Sequence, residues 1–292
     1  MLKYLLSLAV AFFMVTVGHG FNSTKETITV MGITMPYRKC DVNLMAGGDK
    51  PSLVVYLHGG TSKGDDNERQ LLEPGTDSIA NYLAATGKPS IFLIPQCPSD
   101  KSWGGPMNNV LKAMIDRYVN AGIVDANRIY IFGGSMGGTG TWGMLSAFPG
   151  FFAAAMPVAG NPSKCVAANV CKTPVFTVMG TADVIMSVEA AQNFVEQLNA
   201  LGDDVCMEIE NGWTHEMTCM QSYMARRLNW VFAHDLATTS AIGGVASDSR
   251  SVVSSSYYSL TGQSVQTPCP PGVYIRRDVM SNGTIESQKV RL

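Results

Sequence analysis

The 292-residue chain is short of charge, of histidine and of paired cysteine motifs. Only 15% of its residues are charged and the formal net charge is −2, so the sequence offers no basic surface for nucleic acid or for an anionic membrane. No C-x-x-C pair occurs among the seven cysteines, which argues against zinc. We therefore expect no nucleic-acid partner, no metal and no cofactor.

Apolar segments long enough to cross a membrane are also lacking. The one candidate is residues 4–17, which follow Lys3 and precede three small or polar residues, Gly18-His19-Gly20. A positive start, a short apolar stretch and a small-residue cleavage site are typical of a secretory signal peptide, whereas a span needs about 20 apolar residues. We interpret residues 1–20 as a signal peptide and predict that the protein has no membrane span and is secreted or at the cell surface.

Export would permit disulfides, but an odd number of cysteines leaves at least one without a partner in the chain. Cys165 and Cys171 bracket a five-residue loop, which favours a local bridge between them. The other pairings stay open.

Apolar runs of strand length, by contrast, are plentiful. They occupy residues 52–57, 90–94, 128–132, 153–158, 174–179 and 204–210. Helix-like stretches lie at residues 76–85, 106–120, 136–148, 187–201 and 216–234. Buried strands that alternate with helices indicate βαβ units, so the sequence predicts a mostly parallel, doubly wound α/β sheet that opens with an antiparallel pair at residues 26–30 and 33–42.

The composition divides the chain into four predicted parts. These are the signal at 1–20, the α/β catalytic domain at 21–236, a linker rich in Ser, Ala, Thr and Gly at 237–256, and a small β-like tail at 257–292. Within the tail, residues 257–263 and 272–277 resemble strands, and Asn282-Gly283 predicts a turn. So short a segment cannot bury a large core of its own.

A G-x-S-x-G pentapeptide, Gly133-Gly134-Ser135-Met136-Gly137, separates the strand at 128–132 from a helix-like stretch. A serine on a sharp strand-to-helix turn needs neighbours without side chains, and the helix adds free N–H groups and the positive end of its dipole. The same pattern fits a glycine-rich turn before a buried helix. The context of the motif therefore decides whether Ser135 is a nucleophile.

A nucleophilic serine needs a histidine as its base. His19 is removed with the signal, His58 lies beside a glycine-rich loop that it can shape, and His234 ends the last helix as a C-terminal cation. The remaining candidate is His215, in the loop between the last strand and the last helix.

The orienting acid is expected between the serine and the histidine in chain order. Asp183 meets this condition, because it lies between Ser135 and His215 in the chain, and it directly follows a buried strand. We interpret the competing carboxylates Asp203, Asp204 and Glu216 as solvated groups.

Acyl transfer also requires N–H donors for the oxyanion. The Met136 backbone N–H supplies one. The loop His58-Gly59-Gly60-Thr61 would supply the second, with Gly60 preferred over Thr61, unless this loop is a plain turn.

Together these motifs resemble the secreted esterases of the α/β-hydrolase fold, a branch with polyhydroxybutyrate-depolymerase-like esterases, feruloyl and acetylxylan esterases of carbohydrate esterase family one, and predicted peptidases of the phospholipase/carboxylesterase type. The resemblance covers roughly residues 50–234. It rests on Leu57-His58-Gly59-Gly60, residues 94–98 with Trp103, residues 125–131, residues 133–138 with Thr141-Trp142, Gly180-Thr181-Ala182-Asp183 and His215.

The resemblance implies a two-step hydrolysis in which Ser135 attacks an ester, His215 carries the proton and Asp183 holds the imidazole. It also implies Trp103 and Trp142 as candidates for an acyl or sugar pocket, with a core position as the alternative. The tail resembles the C-terminal sorting tails of Bacteroidetes type IX secretion, on residues 258–263 and 272–276. That implies a secreted or surface enzyme and the secretion machinery as a partner, and a small unlinked β-module is the alternative.

The predicted function is hydrolysis of plant cell-wall polysaccharide esters, feruloyl or acetyl. A serine peptidase of the prolyl-oligopeptidase type shares the order of the triad, but the sequence shows no propeller domain to select peptides. A carbohydrate-binding or surface protein on an inactive hydrolase scaffold is the third hypothesis, although no member of the triad is missing.

Overall fold

The computed structural model of the protein describes residues 21–44, 48–237, 252–259, 264–265, 273–280 and 285–291. The predicted signal peptide, most of the predicted linker and the predicted turn at Asn282-Gly283 lie outside the described residues. Among the helices described, none is both long enough and apolar enough to cross a bilayer.

The centre of the fold is an eight-stranded sheet with the strand order β1-β2-β4-β3-β5-β6-β7-β8. Its strands are β1 Thr24–Val30, β2 Ile33–Val42, β3 Ser52–Leu57, β4 Ser90–Pro95, β5 Ile129–Gly134, β6 Ala154–Val158, β7 Val175–Gly180 and β8 Val205–Glu210. β1 pairs antiparallel with β2, β2 pairs antiparallel with β4, and the six strands β3 to β8 are parallel. The sheet is thus mostly parallel with an antiparallel start, as the sequence predicted.

Helices connect the strands. They are α1 Pro74–Thr86, α2 Pro106–Asn120, α3 Met136–Ala147, α4 Ala167–Val170, α5 Val188–Ala200, α6 His215–Gln221 and α7 Ala225–Val231, with 3₁₀ turns at Gly60–Ser62 and Arg69–Leu72. The local signals match the boundaries: Pro106 is at the first position of α2, and α1 ends at Gly87 with a φ of 67°. The buried residues of α2 recur every three or four positions, which gives it one apolar face.

The sheet has a core on each face, and β3 shows how its residues divide. Leu53, Val55 and Leu57 belong to one buried cluster. Val54 and Tyr56 belong to the other cluster. Successive side chains of a strand point to opposite faces, so a strand covered by helices on both sides must be apolar throughout.

The predicted helix at 216–234 is wrong in one respect, because the chain forms two helices with a break after Gln221. Ser222 Oγ donates to the Thr218 carbonyl oxygen at 2.6 Å, and Met224 has extended backbone. The break turns Tyr223 inward, where it is 4% exposed and packs edge-on against Tyr56. The break after Gln221 therefore goes together with the burial of the Tyr223 side chain.

The favoured bridge between Cys165 and Cys171 is also wrong, since both are free thiols. The residues between them form α4, and Cys171 Sγ donates instead to the Ala168 carbonyl oxygen at 3.4 Å. Cys206, on β8, is disulfide-bonded.

A separate four-stranded antiparallel sheet lies near the C-terminus, in the order β10-β9-β11-β12. Its strands are β9 Val252–Tyr258, β10 Ser264–Val265, β11 Val273–Met280 and β12 Ile285–Arg291. β9 begins at Val252, so residues 252–256 form a strand where the sequence predicted linker. The run of small and hydroxyl residues hid this strand, which pairs with β11.

Candidate active site

The carboxyl ends of the parallel strands meet at one edge of the sheet, where ligands bind in open α/β folds. The loops after β3, β5, β7 and β8 carry Gly60, Ser135, Asp183 and His215 in turn. Residues up to 155 positions apart in the sequence are thereby brought to one edge, as their order along the chain predicted.

Ser135 occupies a strained turn between β5 and α3. Its φ is 57° and its ψ is −119°, a conformation that non-glycine residues rarely adopt. Side chains on its neighbours would collide with backbone: a Cβ on Gly133 would meet the Gly137 carbonyl, and a Cβ on Gly137 would meet the Leu57 carbonyl. Gly133 and Gly137 are thus required by close packing of the turn against α3 and β3.

Ser135, His215 and Asp183 form one hydrogen-bonded chain. His215 Nε2 lies 2.7 Å from Ser135 Oγ, and His215 Nδ1 lies 2.8 Å from Asp183 Oδ2. The imidazole and the carboxylate are almost entirely shielded from solvent, with side-chain exposures of 9% and 0%. This arrangement can pass a proton from the serine to the histidine while the carboxylate orients the ring.

Local structure holds both partners of the histidine ring in place. Asp183 Oδ1 accepts hydrogen bonds from the Ile185 and Met186 N–H groups, each at 2.8 Å, so both carboxylate oxygens are used. His215 is the first residue of α6, and the hydroxyl of Thr214 caps that helix by accepting from the Met217 N–H. The acid and the histidine are therefore fixed by short turns.

The loop after β3 lies directly beside the serine. A Cβ placed on Gly59 would be 3.6 Å from Ser135 Cβ. Gly60 and Thr61, the predicted oxyanion donors, begin the 3₁₀ turn Gly60–Ser62 and are exposed, while Met136 begins α3. The fold thus brings the loop that carries Gly60 and Thr61, through Gly59, next to Ser135, which directly precedes α3.

His58 shapes this loop from inside the protein. It is fully buried, and burial lowers its pKa to about 4, so the ring is neutral. Its Nε2 accepts from the Cys97 N–H at 2.9 Å, its Nδ1 donates to the Gly59 carbonyl at 2.6 Å, and its own carbonyl accepts from Trp103 Nε1. This is the turn-shaping role that the sequence indicated for His58.

The structure places the two candidate pocket tryptophans in the core. Trp142 is fully buried and packs edge-on against Phe194 on α5. Trp103 is 6% exposed and lies against His58 and Gly140. Trp142 therefore has no surface for a substrate, and Trp103 packs against and bonds the loop after β3.

The competing carboxylates lie away from the serine or face solvent. Asp204 lies before β8, at the opposite end from the loop with His215, and bonds His234 Nε2 at 3.0 Å. His234 also bonds the Trp230 carbonyl near the end of α7. The expectation that Asp203 is solvated is wrong. Its Oδ2 is buried and has no hydrogen-bond partner among the described residues, and burial together with the charge of Asp204 raises its pKa to about 7.

Two features near the serine were missed in the sequence. One is the carboxylate of Glu73, which bonds the loop after β3. The other is a set of exposed apolar side chains within two positions of Asp183 or His215 in the chain: Val184, Ile185 and Met217. The adjacency of Val184 and Ile185 to Asp183 was the only available signal. Within the described residues, no cluster of His, Cys, Asp or Glu could hold a metal ion.

The known proteins that this chain resembles are hydrolases. Residues 101–163, which contain Ser135, match the prolyl oligopeptidase family. Acetylxylan esterase A of Emericella nidulans is 37% identical over 127 residues, which are 39% of this chain and 39% of that protein. A solved thermostable esterase superposes with a TM-score of 0.67 at 27% identity, over 74% of this chain and 63% of that one. A solved ferulic acid esterase superposes with a TM-score of 0.58 at 14% identity, over 73% of this chain and 98% of that one.

These similarities confirm the predicted α/β-hydrolase fold, and the proteins that this chain resembles include an acetylxylan esterase, a thermostable esterase and a ferulic acid esterase. The matched part spans 39% of the acetylxylan esterase, so the similarity to that protein is partial.

Proposed function

We propose that the protein is a serine carboxylic ester hydrolase in which Ser135 is the nucleophile, His215 the general base and acid, and Asp183 the orienting acid. The observation that carries the proposal is the continuous chain from Ser135 Oγ through both nitrogens of His215 to Asp183, at 2.7 and 2.8 Å. These distances lie in the range that proton transfer requires.

Hydrolysis proceeds in two steps through an acyl-enzyme. Ser135 Oγ attacks the ester carbonyl carbon while its proton passes to His215 Nε2, and Asp183 stabilises the resulting imidazolium. The carbonyl oxygen, now negative, accepts from the Met136 N–H and from Gly60 or Thr61. The ester C–O bond breaks as Nε2 gives its proton to the alcohol. Water repeats the sequence, with its proton taken by Nε2, and releases the carboxylic acid from Ser135.

The proposed substrates are feruloyl or acetyl esters of plant cell-wall polysaccharides. The names of the acetylxylan and ferulic acid esterases among the neighbours support this class. The exposed apolar side chains next to Asp183 and His215 in the chain support it as well, since they offer an apolar surface to an aromatic acyl group. We also propose that residues 1–20 direct secretion, which N-terminal sequencing of exported protein would test. We propose in addition that the C-terminal segment engages the secretion machinery.

The experiment compares kcat/KM for p-nitrophenyl acetate, methyl ferulate and acetylated xylan in wild type and in Ser135→Ala, His215→Ala and Ser163→Ala. Ser163 is an exposed serine that bonds Asn161, so its loss serves as the control. The first two variants should lose at least ~10³-fold in activity, and the control should lose none. Ester hydrolysis that survives Ser135→Ala would overturn the proposal.

A peptidase of the prolyl oligopeptidase type is the second candidate, because the match over residues 101–163 is to that family. A proline-containing chromogenic peptide assayed beside the esters separates the two activities. Turnover of the peptide with a kcat/KM above that of every ester would favour the peptidase.

A further inference from the structure

Glu73 lies where the loop after β3 meets the nucleophile. Its Oε1 would be 3.4 Å from a Cβ on Gly59, and the same Cβ would be 3.6 Å from Ser135 Cβ. The carboxylate is half-buried and has no ion pair among the described residues. An unpaired carboxylate this close to a serine nucleophile calls for a physical reason, because it disfavours the negative charge that develops there.

One oxygen of this carboxylate bonds both ends of the loop. Glu73 Oε1 accepts from the Gly59 N–H at 3.1 Å and from Ser62 Oγ at 2.6 Å. Gly60 and Thr61 are the two residues between these anchors. The Ser62 N–H bonds back to the Gly59 carbonyl at 3.3 Å, which closes the 3₁₀ turn. Fixing both ends of so short a turn fixes the directions of the N–H groups inside it.

The anchor itself belongs to a rigid element. Glu73 is the residue before α1, a 13-residue helix, and its own carbonyl accepts from the Thr76 N–H at 2.9 Å and from Thr76 Oγ1 at 2.7 Å. The loop after β3 is therefore tied to a packed helix as well as to its own strand. Because Gly59 and Gly60 lack side chains of their own, this outside support replaces the packing that a side chain would provide.

The polar groups around Glu73 are neutral. Burial, and after it the charge of Glu73, raises the pKa of Cys219 to about 12. Burial likewise raises the pKa values of Tyr56 and Tyr223. Cys219 Sγ and both tyrosine hydroxyls lie about 3.5 Å from where a Cβ on Gly134 would be, behind the serine turn. None of these groups replaces the acceptor that Glu73 provides to the loop.

We propose that Glu73 is a positioning residue that holds Gly60 and Thr61 as oxyanion donors through its bonds to Gly59 and Ser62. The inference rests on the proposed esterase function. The carboxylate acts as a hydrogen-bond acceptor, and its charge is dispensable. Glu73→Gln keeps an acceptor oxygen for both donors, whereas Glu73→Ala removes it.

The test measures kcat and KM for p-nitrophenyl acetate in Glu73→Ala, Glu73→Gln, Ser62→Ala and the double variant. We expect Glu73→Ala to lower kcat ~10- to 100-fold with KM within about threefold of wild type, because loosening a donor costs less than the ~10²- to 10³-fold of deleting one. Ser62→Ala should lower kcat about 3- to 10-fold, and the double variant should match Glu73→Ala. Glu73→Gln should stay within about threefold of wild type. Glu68→Ala is the control, since Glu68 bonds Lys25 and Arg38 instead.

A kcat of Glu73→Ala within about threefold of wild type would overturn the inference. So would an equal loss in Glu73→Gln, which would make the charge essential, or a rise in KM alone, which would indicate contact with the substrate. If Glu73→Ala does not fold, an unchanged kcat in Ser62→Ala would overturn it.

Amide hydrogen exchange separates this inference from the proposed function, because it does not depend on turnover. The peptide that contains residues 59–62 should exchange at least about tenfold faster in Glu73→Ala than in Glu73→Gln, and unchanged exchange would overturn the inference. Failure of the proposed function would show differently, as ester hydrolysis that persists in Ser135→Ala.

Discussion

Asp203 offers a test of how burial governs stability far from the serine. Its Oδ2 is buried and finds no hydrogen-bond partner in the part of the chain that the structure describes, and burial and the neighbouring Asp204 raise its pKa to about 7. In the unfolded chain the pKa is near the ordinary ~3.9. Below pH ~4 the group is protonated in both states and costs nothing. As the pH rises to about 7, the unfolded state ionises first, so this aspartate progressively destabilises the fold.

The size of the effect follows from the same two values. A difference of about three pKa units corresponds to ~4 kcal/mol at most, and partial solvent access lowers the expected value to ~1–3 kcal/mol. Asp203→Asn keeps the shape of the side chain and cannot ionise. The variant should therefore be more stable than wild type by ~1–3 kcal/mol at pH 8 and by almost nothing at pH 4.

Urea unfolding at pH 4, 6 and 8 measures this difference. Asp49→Asn, which changes an exposed carboxylate, is the matched control and should alter the free energy of unfolding by less than ~0.5 kcal/mol at each pH. Equal stability of Asp203→Asn and wild type at pH 8, or a gain that does not grow with pH, would refute the reasoning.

Three further predictions follow from contacts near the site. Asp183→Asn should lower kcat by up to ~10⁴-fold while the far-ultraviolet circular dichroism stays unchanged, because the ring loses its orienting charge; a loss under tenfold would contradict this. Gly137→Ala should reduce the free energy of unfolding by more than ~3 kcal/mol in urea titrations, since its Cβ would collide with the Leu57 carbonyl. Arg227→Ala should cost ~1–3 kcal/mol, because it removes the fully buried partner of Glu208 and Glu210 while Arg226 still pairs with both, and a cost below ~0.5 kcal/mol would show that these pairs are solvated.

The sheet could be predicted because each of its central strands is buried on both faces and is therefore apolar throughout. β3 and α2 were predicted with their observed bounds, since apolar content and a proline at the first helical position are local signals. The break after Gln221 could not be predicted in this way. It depends on Tyr223 packing against Tyr56, which is 167 residues away in the chain.

At the serine, too, features with a sequence signal could be predicted, and contacts between distant parts of the chain could not. Ser135, Asp183 and His215 could be proposed from their order along the chain, because parallel topology brings the ends of β5, β7 and β8 together. The role of Glu73 could not be proposed, because it follows from a hydrogen bond between a helix terminus and a loop. Trp142 shows the opposite failure: its position in a motif suggested a pocket, but the packing of α3 against α5 buries it.

Labelling with a fluorophosphonate, followed by mass spectrometry of the digested protein, shows whether Ser135 is the nucleophile. We expect one adduct, on the peptide that contains Ser135, that disappears in Ser135→Ala and forms at least ~10³-fold more slowly in His215→Ala. Folded wild-type protein that takes up no label, or that carries the label on another residue, would contradict it.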